Sequence, residues 1–286
     1  MSSPAGKSIQ TPLNLVMPMK SWWEAKELDA VLHLKLSEIS QVSDTIGTLH
    51  FARLFDFRDH NQVGFFTTYD GKFEDYMHDF LKYLGPVFNF MMKHVVDPTP
   101  LPVEKNAEAW MEWTRKRDLE GIGFYSAYPA LSVQDIKARA GQSRGGTGKG
   151  VLQTPLALVL PVKSPEHLGA ATQLLTQALP QLYAAADAIG TIHSARFVPL
   201  GTKALTLISE FDGGLDQHVN DLAAHLGPLL DQLFQNVVDP PASPVQKDTR
   251  AFASWVSAHN IKPWVFYSAY PTLSVKDIRA AAAKAA

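Results

Sequence analysis

Histidine and arginine recur at matched positions in the two halves of this sequence, and both can do chemistry near neutral pH. His50 and Arg53 in the first half correspond to His193 and Arg196, 143 positions later. An imidazole can act as a general base near pH 7, and a guanidinium binds and stabilises anions. We therefore take all four residues as candidate catalytic residues.

Each pair also has a structural interpretation. His50 and Arg53 lie three residues apart on a predicted strand, so regular alternation points them to opposite faces. One of them would face the cavity inside the fold, where an unpaired polar group is costly unless it is used. The alternative is a histidine bonded to a neighbouring carbonyl and an arginine paired with a carboxylate such as Asp70, because buried polar groups are usually satisfied in this way.

Aspartate and tyrosine recur as well. Asp70 and Asp212 each precede a glycine where a predicted strand meets a helix. A carboxylate there caps free N–H groups and meets the positive end of the helix dipole, so we expect each to cap the following helix. Four recurring tyrosines are expected in the core with hydrogen-bonded hydroxyls: Tyr125, Tyr128, Tyr267 and Tyr270.

These residues belong to an internal repeat. TPLNLVMPMKS at residues 11–21 returns as TPLALVLPVKS at 154–164, and FYSAYPALSVQDI at 124–136 returns as FYSAYPTLSVKDI at 266–278. The offset is 143 positions at first and 142 after one residue is lost. The chain is therefore two copies of one unit in tandem.

Each copy has the pattern of a β-α-β-β-α-β unit. An apolar run flanked by prolines predicts the first strand, and apolar residues at helical spacing predict a helix over residues 22–44. A predicted hairpin turns around residues 58–62 and ends at Asp70, before a long amphipathic helix. After the last strand, Ser132 and Asp135 predict a capping box that opens a short helix. This order is the ferredoxin-like unit.

A ferredoxin-like sheet has helices on one face only, so its other face needs a partner. The second copy supplies that partner. We predict an α+β fold in which two antiparallel sheets pack face to face as an intramolecular α/β barrel. The units are residues 1–139 and 153–286, joined by a flexible glycine-rich linker at 140–152.

Composition excludes several classes of function. The 286 residues carry a net charge of −2 with no basic stripe, so we expect no nucleic-acid partner. Cysteine is absent, which excludes disulfides and thiolate metal sites. The amino terminus lacks a secretory pattern and no run reaches the length of a membrane span, so we expect a cytoplasmic protein. Homo-oligomerisation stays open.

The remaining histidines differ between the copies. His218 and His225 are seven residues apart on a predicted helix and share a face. No carboxylate or further histidine completes a ligand set at zinc spacing. A single axial imidazole for haem needs no motif, so the sequence neither favours nor excludes haem.

The strand T-I-H-S-A-R-F at residues 191–197 and the F-D-G turn at 211–213 make the chain similar to the dimeric α/β-barrel superfamily. That superfamily includes dye-decolourising peroxidases, chlorite dismutases and small antibiotic-biosynthesis-type monooxygenases. The resemblance covers both copies at the level of the fold. In the peroxidases a G-x-x-D-G motif carries the distal aspartate, and here Ser209 takes the place of its first glycine.

The resemblance implies haem in the second copy. His225 or His218 would be the axial ligand to the iron, and Arg196 and Asp212 would lie on the distal side. The implied function is a haem-binding, peroxidase-like oxidoreductase that acts on a small apolar molecule in the barrel.

Two alternatives stay open. The first is a cofactor-independent, monooxygenase-type enzyme on an apolar small molecule, with His50 or His193 as general base. The second is a non-catalytic protein that only binds such a ligand. The sequence does not decide between an enzyme and a binding protein.

Overall fold

A computed structural model describes residues 8–57, 61–142, 144–147 and 150–284. The first copy comprises β1 (Gln10–Pro18), α1 (Trp22–Leu34), α2 (Leu36–Ile46), β2 (Leu49–Phe57), β3 (Gln62–Asp70), α3 (Phe73–His94), α4 (Ala107–Arg115), β4 (Ile122–Ser126) and α5 (Val133–Ala140). A short strand, β5 (Gly146–Thr147), lies between the copies. The second copy comprises β6 (Gln153–Pro161), α6 (Pro165–Gln177), α7 (Leu179–Ile189), β7 (Ile192–Leu200), β8 (Ala204–Asp212), α8 (Leu215–Phe234), α9 (Thr249–His259), β9 (Val265–Ser268) and α10 (Val275–Lys284).

The strands form two antiparallel sheets, which confirms the predicted α+β fold. The first sheet has the strand order β1-β3-β2-β9-β5, and the second has the order β4-β7-β8-β6. Both predicted hairpins are present as the β2–β3 and β7–β8 pairs. Most of the first predicted turn, residues 58–60, lies outside the described residues.

The last strand of each copy lies in the sheet of the other copy. β4 pairs with β7 of the second copy, and β9 pairs with β2 of the first copy. The sheets therefore cross the sequence division between residues 1–139 and 153–286. Because each sheet needs a strand from both copies, we expect the two copies to unfold together.

Helices cover one face of each sheet, and the sheets pack against each other through the other face. In β3, Phe65 contacts Phe80 of α3, whereas the adjacent Phe66 points towards the second sheet. This alternation is what face-to-face sheets require. The cluster between the sheets consists of Val16, Phe55, Phe57, Phe66, Ala157, Val198, Leu200, Ala204 and Ile208.

Two local features differ from the sequence prediction. The helix predicted over residues 22–44 is broken into α1 and α2 at Lys35, where φ is −102° and ψ is 9°. Leu32 and Ile39, on either side of the break, are both buried, so apolar spacing could not reveal it. The predicted flexible linker contains β5, which pairs with β9.

The predicted capping box is confirmed at the start of α5, where Ser132 and Asp135 bond each other's backbone N–H groups. The long amphipathic helix is confirmed as α3. None of the described helices combines the length and the hydrophobicity that crossing a bilayer requires.

Candidate functional site

His50 and His193, the histidines shared by the two copies, lie at equivalent β-bulges. In β2 the pairing with β3 shifts between Leu49 and Phe51, so His50 is the extra residue. His193 has the same position in β7. A bulge turns a side chain out of the regular alternation, so counting along the strand does not give the relative direction of His50 and Arg53.

Buried side chains from both copies form one hydrogen-bonded chain, in the order Asp70, His50, Tyr270, Tyr128, His193 and Asp212. Successive polar atoms are 2.7, 2.9, 2.9, 2.7 and 2.7 Å apart along this order. Each histidine contacts the aspartate of its own copy through Nε2 and the tyrosine of the other copy through Nδ1. We call this set the Asp-His-Tyr chain.

The aspartates at its ends do not cap the helices that follow them, as the sequence had indicated. α3 and α8 have no side-chain cap. Asp70 Oδ2 instead accepts the backbone N–H of Val133 at 2.8 Å, and Asp212 Oδ2 accepts that of Val275 at 2.8 Å. These amides open α5 and α10, so each carboxylate stabilises a helix end more distant in sequence.

Arg53 crosses from the first sheet to the second. Its guanidinium donates to the backbone oxygens of Leu156 and Ser209 at 2.6 and 3.0 Å and forms an ion pair with Glu210. Its carboxylate partner is thus in the other copy and is not Asp70. Burial lowers the pKa of Arg53, and such a charge is tolerated because it is paired.

Arg196 makes the reciprocal crossing. Among the described residues no carboxylate contacts its guanidinium, and Asp118 acts on it only through its charge. Its Nε donates to Asn14 Oδ1 at 2.6 Å, and its Nη2 donates to the Thr67 carbonyl at 3.1 Å. Thr68 lies where the second copy has Glu210. Burial lowers the pKa of Arg196 to about 9, so the guanidinium is charged at neutral pH. Its three nitrogens all have partners within the protein.

The second copy contains an apolar cavity between its sheet and helices α6, α7 and α8. The volume is about 70 Å³, and leucine is the commonest lining residue. The exchanged strand β4 contributes Gly123 and Tyr125 to the wall. The space exceeds what one water molecule needs, and its walls favour an apolar ligand.

Gly123 keeps this wall close to α7. Its φ of 66° favours glycine. A Cβ at this position would lie 2.3 Å from Leu179 Cδ2. Any side chain here would therefore displace α7 or fill part of the cavity.

Two polar atoms at the cavity have no partner among the described residues: His218 Nδ1 and Ser209 Oγ. The His218 ring stacks on Phe211, with centroids 3.7 Å apart and planes 5° apart. Burial lowers the pKa of His218 to about 3, so the imidazole is neutral at physiological pH. A neutral imidazole offers one donor and one acceptor, which suits a hydroxyl or carbonyl group on a ligand.

The equivalent cavity in the first copy is smaller, at about 40 Å³. Tyr76 occupies the position of His218, 142 residues earlier. It stacks on Tyr69 and donates its hydroxyl to Thr67 Oγ1 at 2.9 Å. Thr67 is the counterpart of Ser209, so the polar pair that lacks partners in the second copy is satisfied in the first.

Both cavities lie between a sheet and its helices, whereas the sequence placed a ligand inside the barrel. His50 and His193 line neither cavity and belong to the Asp-His-Tyr chain. Arg53 and Arg196 border one cavity each, with their charged groups bonded to the opposite sheet.

The residues assigned to haem by the resemblance do not come together. His225 is exposed on α8, and Asp212 is bonded to His193 and the start of α10. Arg196 borders the same cavity as His218, but its nitrogens already have partners within the protein. These residues do not fit a haem site, and we derive no step through haem. Among the described residues, the grouping spaced for a metal ion is Glu24, Glu27 and His94, which does not include His225.

The sequence reasoning missed Glu210 and the role of Ser209 beside His218. A signal for them was present in the repeat itself. At these positions the two copies carry residues of different polarity: Glu210 corresponds to Thr68, and His218 corresponds to Tyr76. Positions at which the two copies differ therefore indicate where one copy has a feature, such as a ligand site, that the other lacks.

No protein-family profile and no curated protein matches this chain in sequence. Among solved structures, a protein assigned as a monooxygenase from Fusobacterium nucleatum is 11% identical, with 94% of this chain and 98% of that chain covered and a TM-score of 0.36. An anthrone oxidase-like protein is 10% identical, with 93% and 96% covered and a TM-score of 0.31. Another protein assigned as a monooxygenase, from Lactobacillus acidophilus, is 7% identical, with 93% and 94% covered and a TM-score of 0.31. None of these three is described as a peroxidase or a chlorite dismutase, and likenesses this distant say nothing about activity.

Proposed function

We propose that this chain is a cofactor-independent enzyme of the monooxygenase type. Its substrate is an apolar small molecule with one hydroxyl or carbonyl group, bound at the cavity of the second copy. The surrounding helices move apart to admit it, because the free space of about 70 Å³ is less than the roughly 150 Å³ that holds benzene. The observation that carries the proposal is the pair of unpartnered polar atoms, His218 Nδ1 and Ser209 Oγ, at an otherwise apolar cavity. A buried polar atom without a partner is destabilising, and a ligand that bonds it removes that penalty.

The walls define the substrate class. Side chains such as Leu222, Leu226 and Leu230 offer no hydrogen bonds, so the body of the substrate is apolar. Both polar atoms are neutral, because burial holds the pKa of His218 near 3. A neutral polar end is therefore favoured over a carboxylate or an ammonium group.

Because the proposed enzyme uses no cofactor, the substrate itself must supply the electrons that reduce dioxygen. An enolisable ketone does so when its enol transfers an electron, together with its hydroxyl proton, to dioxygen. A bond then forms between carbon and oxygen, and the O–O bond breaks with loss of water. A CH₂ group becomes C=O, and the second oxygen atom and the two hydrogens leave as water.

The cavity supports this step in two ways. Dioxygen is apolar and partitions into an apolar cavity, from which water is excluded. The neutral His218 ring can accept the hydrogen bond of the enol hydroxyl and so orient the substrate. Ser209 Oγ, which also has no partner among the described residues, offers a second hydrogen bond to the substrate.

Binding is tested by titration calorimetry with 1-naphthol and with naphthalene, which lacks the hydroxyl. We expect 1-naphthol to bind about tenfold more tightly, because one net hydrogen bond is gained. This preference should vanish in His218→Leu and persist in Tyr76→Phe, the matched change in the first copy. Equal affinities for the two probes in the wild-type protein would contradict the assigned polar pair.

Turnover is tested by oxygen uptake with anthrone, an apolar enolisable ketone, and with 1-naphthol. We expect uptake that requires His218 and no added cofactor. Binding without uptake would support the ligand-binding alternative in place of an enzyme. A shifted, saturable Soret band on haem titration would replace the proposal with haem chemistry.

A further inference from the structure

The Asp-His-Tyr chain contains more hydrogen bonds than its neutral side chains can supply hydrogens for. It has five links, each of 2.7 to 2.9 Å. Polar heavy atoms at this distance need a hydrogen between them. A neutral imidazole supplies one hydrogen, a phenol supplies one and a carboxylate supplies none. Two histidines and two tyrosines therefore provide one hydrogen too few.

The shortage falls at the centre of the chain. In the neutral arrangement each histidine donates its Nε2–H to an aspartate, and each tyrosine donates its hydroxyl to a histidine Nδ1. Tyr128 and Tyr270 would then face each other with lone pairs only, yet their oxygens are 2.9 Å apart. Burial raises the pKa of both hydroxyls, so each keeps its one hydrogen at neutral pH.

We propose that the Asp-His-Tyr chain is a proton-binding site that holds one additional proton, shared between His50 and His193. When His50 carries it, His50 donates to both Asp70 and Tyr270, and each tyrosine donates onward towards His193. All five links then have a hydrogen. The mirror arrangement places the charge on His193.

The two arrangements interconvert without any atom leaving the chain. Three hydrogens each cross their own hydrogen bond, from His50 Nδ1 to Tyr270, from Tyr270 to Tyr128 and from Tyr128 to His193 Nδ1. The positive charge thereby moves from one copy to the other. The Asp-His-Tyr chain is thus a path for a proton between the two repeats.

The surroundings suit one buried positive charge. At the two ends of the Asp-His-Tyr chain, Asp70 and Asp212 each bond a histidine through Oδ1 and accept the amide of a helix start through Oδ2. Outside the chain, the groups that act electrostatically on Tyr128 are Tyr125 and Arg279, and on Tyr270 it is Tyr267. Both aspartate side chains are 12% exposed, which gives the proton a route to solvent at each end.

The proposal is independent of the enzymatic function, because the Asp-His-Tyr chain touches neither unpartnered atom of the cavity. It is tested by ¹⁵N NMR of the full chain labelled at histidine, at pH 7. Imidazole nitrogen shifts report whether each nitrogen carries a hydrogen, and His50→Gln and His193→Gln assign the signals. We expect three hydrogens over the four nitrogens, with both Nδ1 atoms partly protonated. A total of two would overturn the proposal.

Tyr128→Phe provides an independent arm. It removes two links, and the remaining three are satisfied by the neutral side chains, so we expect the count to fall to two. Tyr125→Phe is the matched control, because its hydroxyl bonds Asp187 outside the chain, and we expect three. A count of three in Tyr128→Phe would also overturn the proposal. Should that variant not fold, the count in the wild-type protein still decides.

Discussion

The two cavities show how one fold can hold a filled site and an open one. The volume is about 40 Å³ in the first copy and about 70 Å³ in the second. In four matched pairs the larger side chain lines the cavity of the first copy: Phe65 and Leu207, Phe80 and Leu222, Phe88 and Leu230, and Val265 and Gly123. Two pairs run the other way, Leu54 and Phe197, and Val87 and Leu229. A few side chains on a shared backbone therefore decide whether a cavity is available to a ligand.

The polar residues change in the same direction. Tyr76 and Thr67 bond each other in the first copy, whereas His218 and Ser209 in the second have unpartnered atoms. The first copy thus has the features of a packed core and the second those of a binding site. Duplication therefore lets one copy stabilise the fold while the other keeps a destabilising site.

The largest expected effect comes from filling the second cavity with the aromatic residues of the first. In Leu222→Phe with Leu230→Phe, we expect calorimetry to show 1-naphthol affinity reduced at least about 100-fold, because the rings occupy the ligand's space. Phe80→Leu with Phe88→Leu is the mirror control and should leave that affinity unchanged. Retained binding in the filled variant would place the ligand elsewhere.

The next effect concerns Arg53 and Arg196, both buried. Within the described part of the chain, Arg53 contacts a carboxylate, that of Glu210, and Arg196 does not. Glu210→Ala leaves that guanidinium buried and unpaired, so we expect a loss of about 3 to 5 kcal/mol in the free energy of unfolding. Thr68→Ala, the matched change beside Arg196, should lose less than about 1 kcal/mol. Urea unfolding of both variants measures this difference, and equal losses would refute the distinction between the arginines.

Acid stability distinguishes His218 from Tyr76. The unfolded chain protonates His218 around pH 6.5, whereas the folded chain does so only near pH 3, so acidification between these values favours unfolding. Between pH 7 and pH 5 this one group should remove about 2 kcal/mol of stability.

His218→Tyr should abolish that part of the pH dependence, because the new hydroxyl can bond Ser209 as Tyr76 bonds Thr67. Tyr76→His should add a second acid-sensitive group of the same sign. Urea unfolding at the two pH values checks both. An unchanged pH dependence in His218→Tyr would show that the imidazole is not held neutral by the fold.

The smallest effect should be the same in both copies. Ser132 and Ser274 open equivalent capping boxes with Asp135 and Asp277. Alanine at either serine should lower stability by about 1 kcal/mol. A large difference between the two in urea unfolding would show that the copies diverge beyond their cavities.

Much of the fold could be predicted from the sequence, because the repeat fixed the order of elements and alternation fixed the faces of the sheets. The strand exchange could not, since β4 and β9 have the same local pattern whichever sheet they join. The break at Lys35 was hidden because apolar spacing continues across it.

The site was only partly predictable. The sequence selected His50 and His193, but it could not show that each bonds a tyrosine from the other copy, because that contact depends on the strand exchange. From the resemblance, the sequence made His218 a candidate haem ligand. In the structure His218 lines the apolar cavity with Ser209, and each has an atom without a partner among the described residues. Residues that are the same in both copies, such as His50 and His193, form the contacts between the copies. Residues that differ between the copies, such as His218 and Tyr76, distinguish the two cavities.

The central claim is that the chain has one ligand site and that it lies in the second copy. The most direct test is NMR of the full chain with ¹³C-labelled leucine methyl groups during titration with 1-naphthol. We predict saturation at one molecule per chain, with shifts at second-copy leucines such as Leu207, Leu222 and Leu230. Shifts of equal size at Leu54 and Leu84 in the first copy, or no shifts at either cavity, would contradict the account.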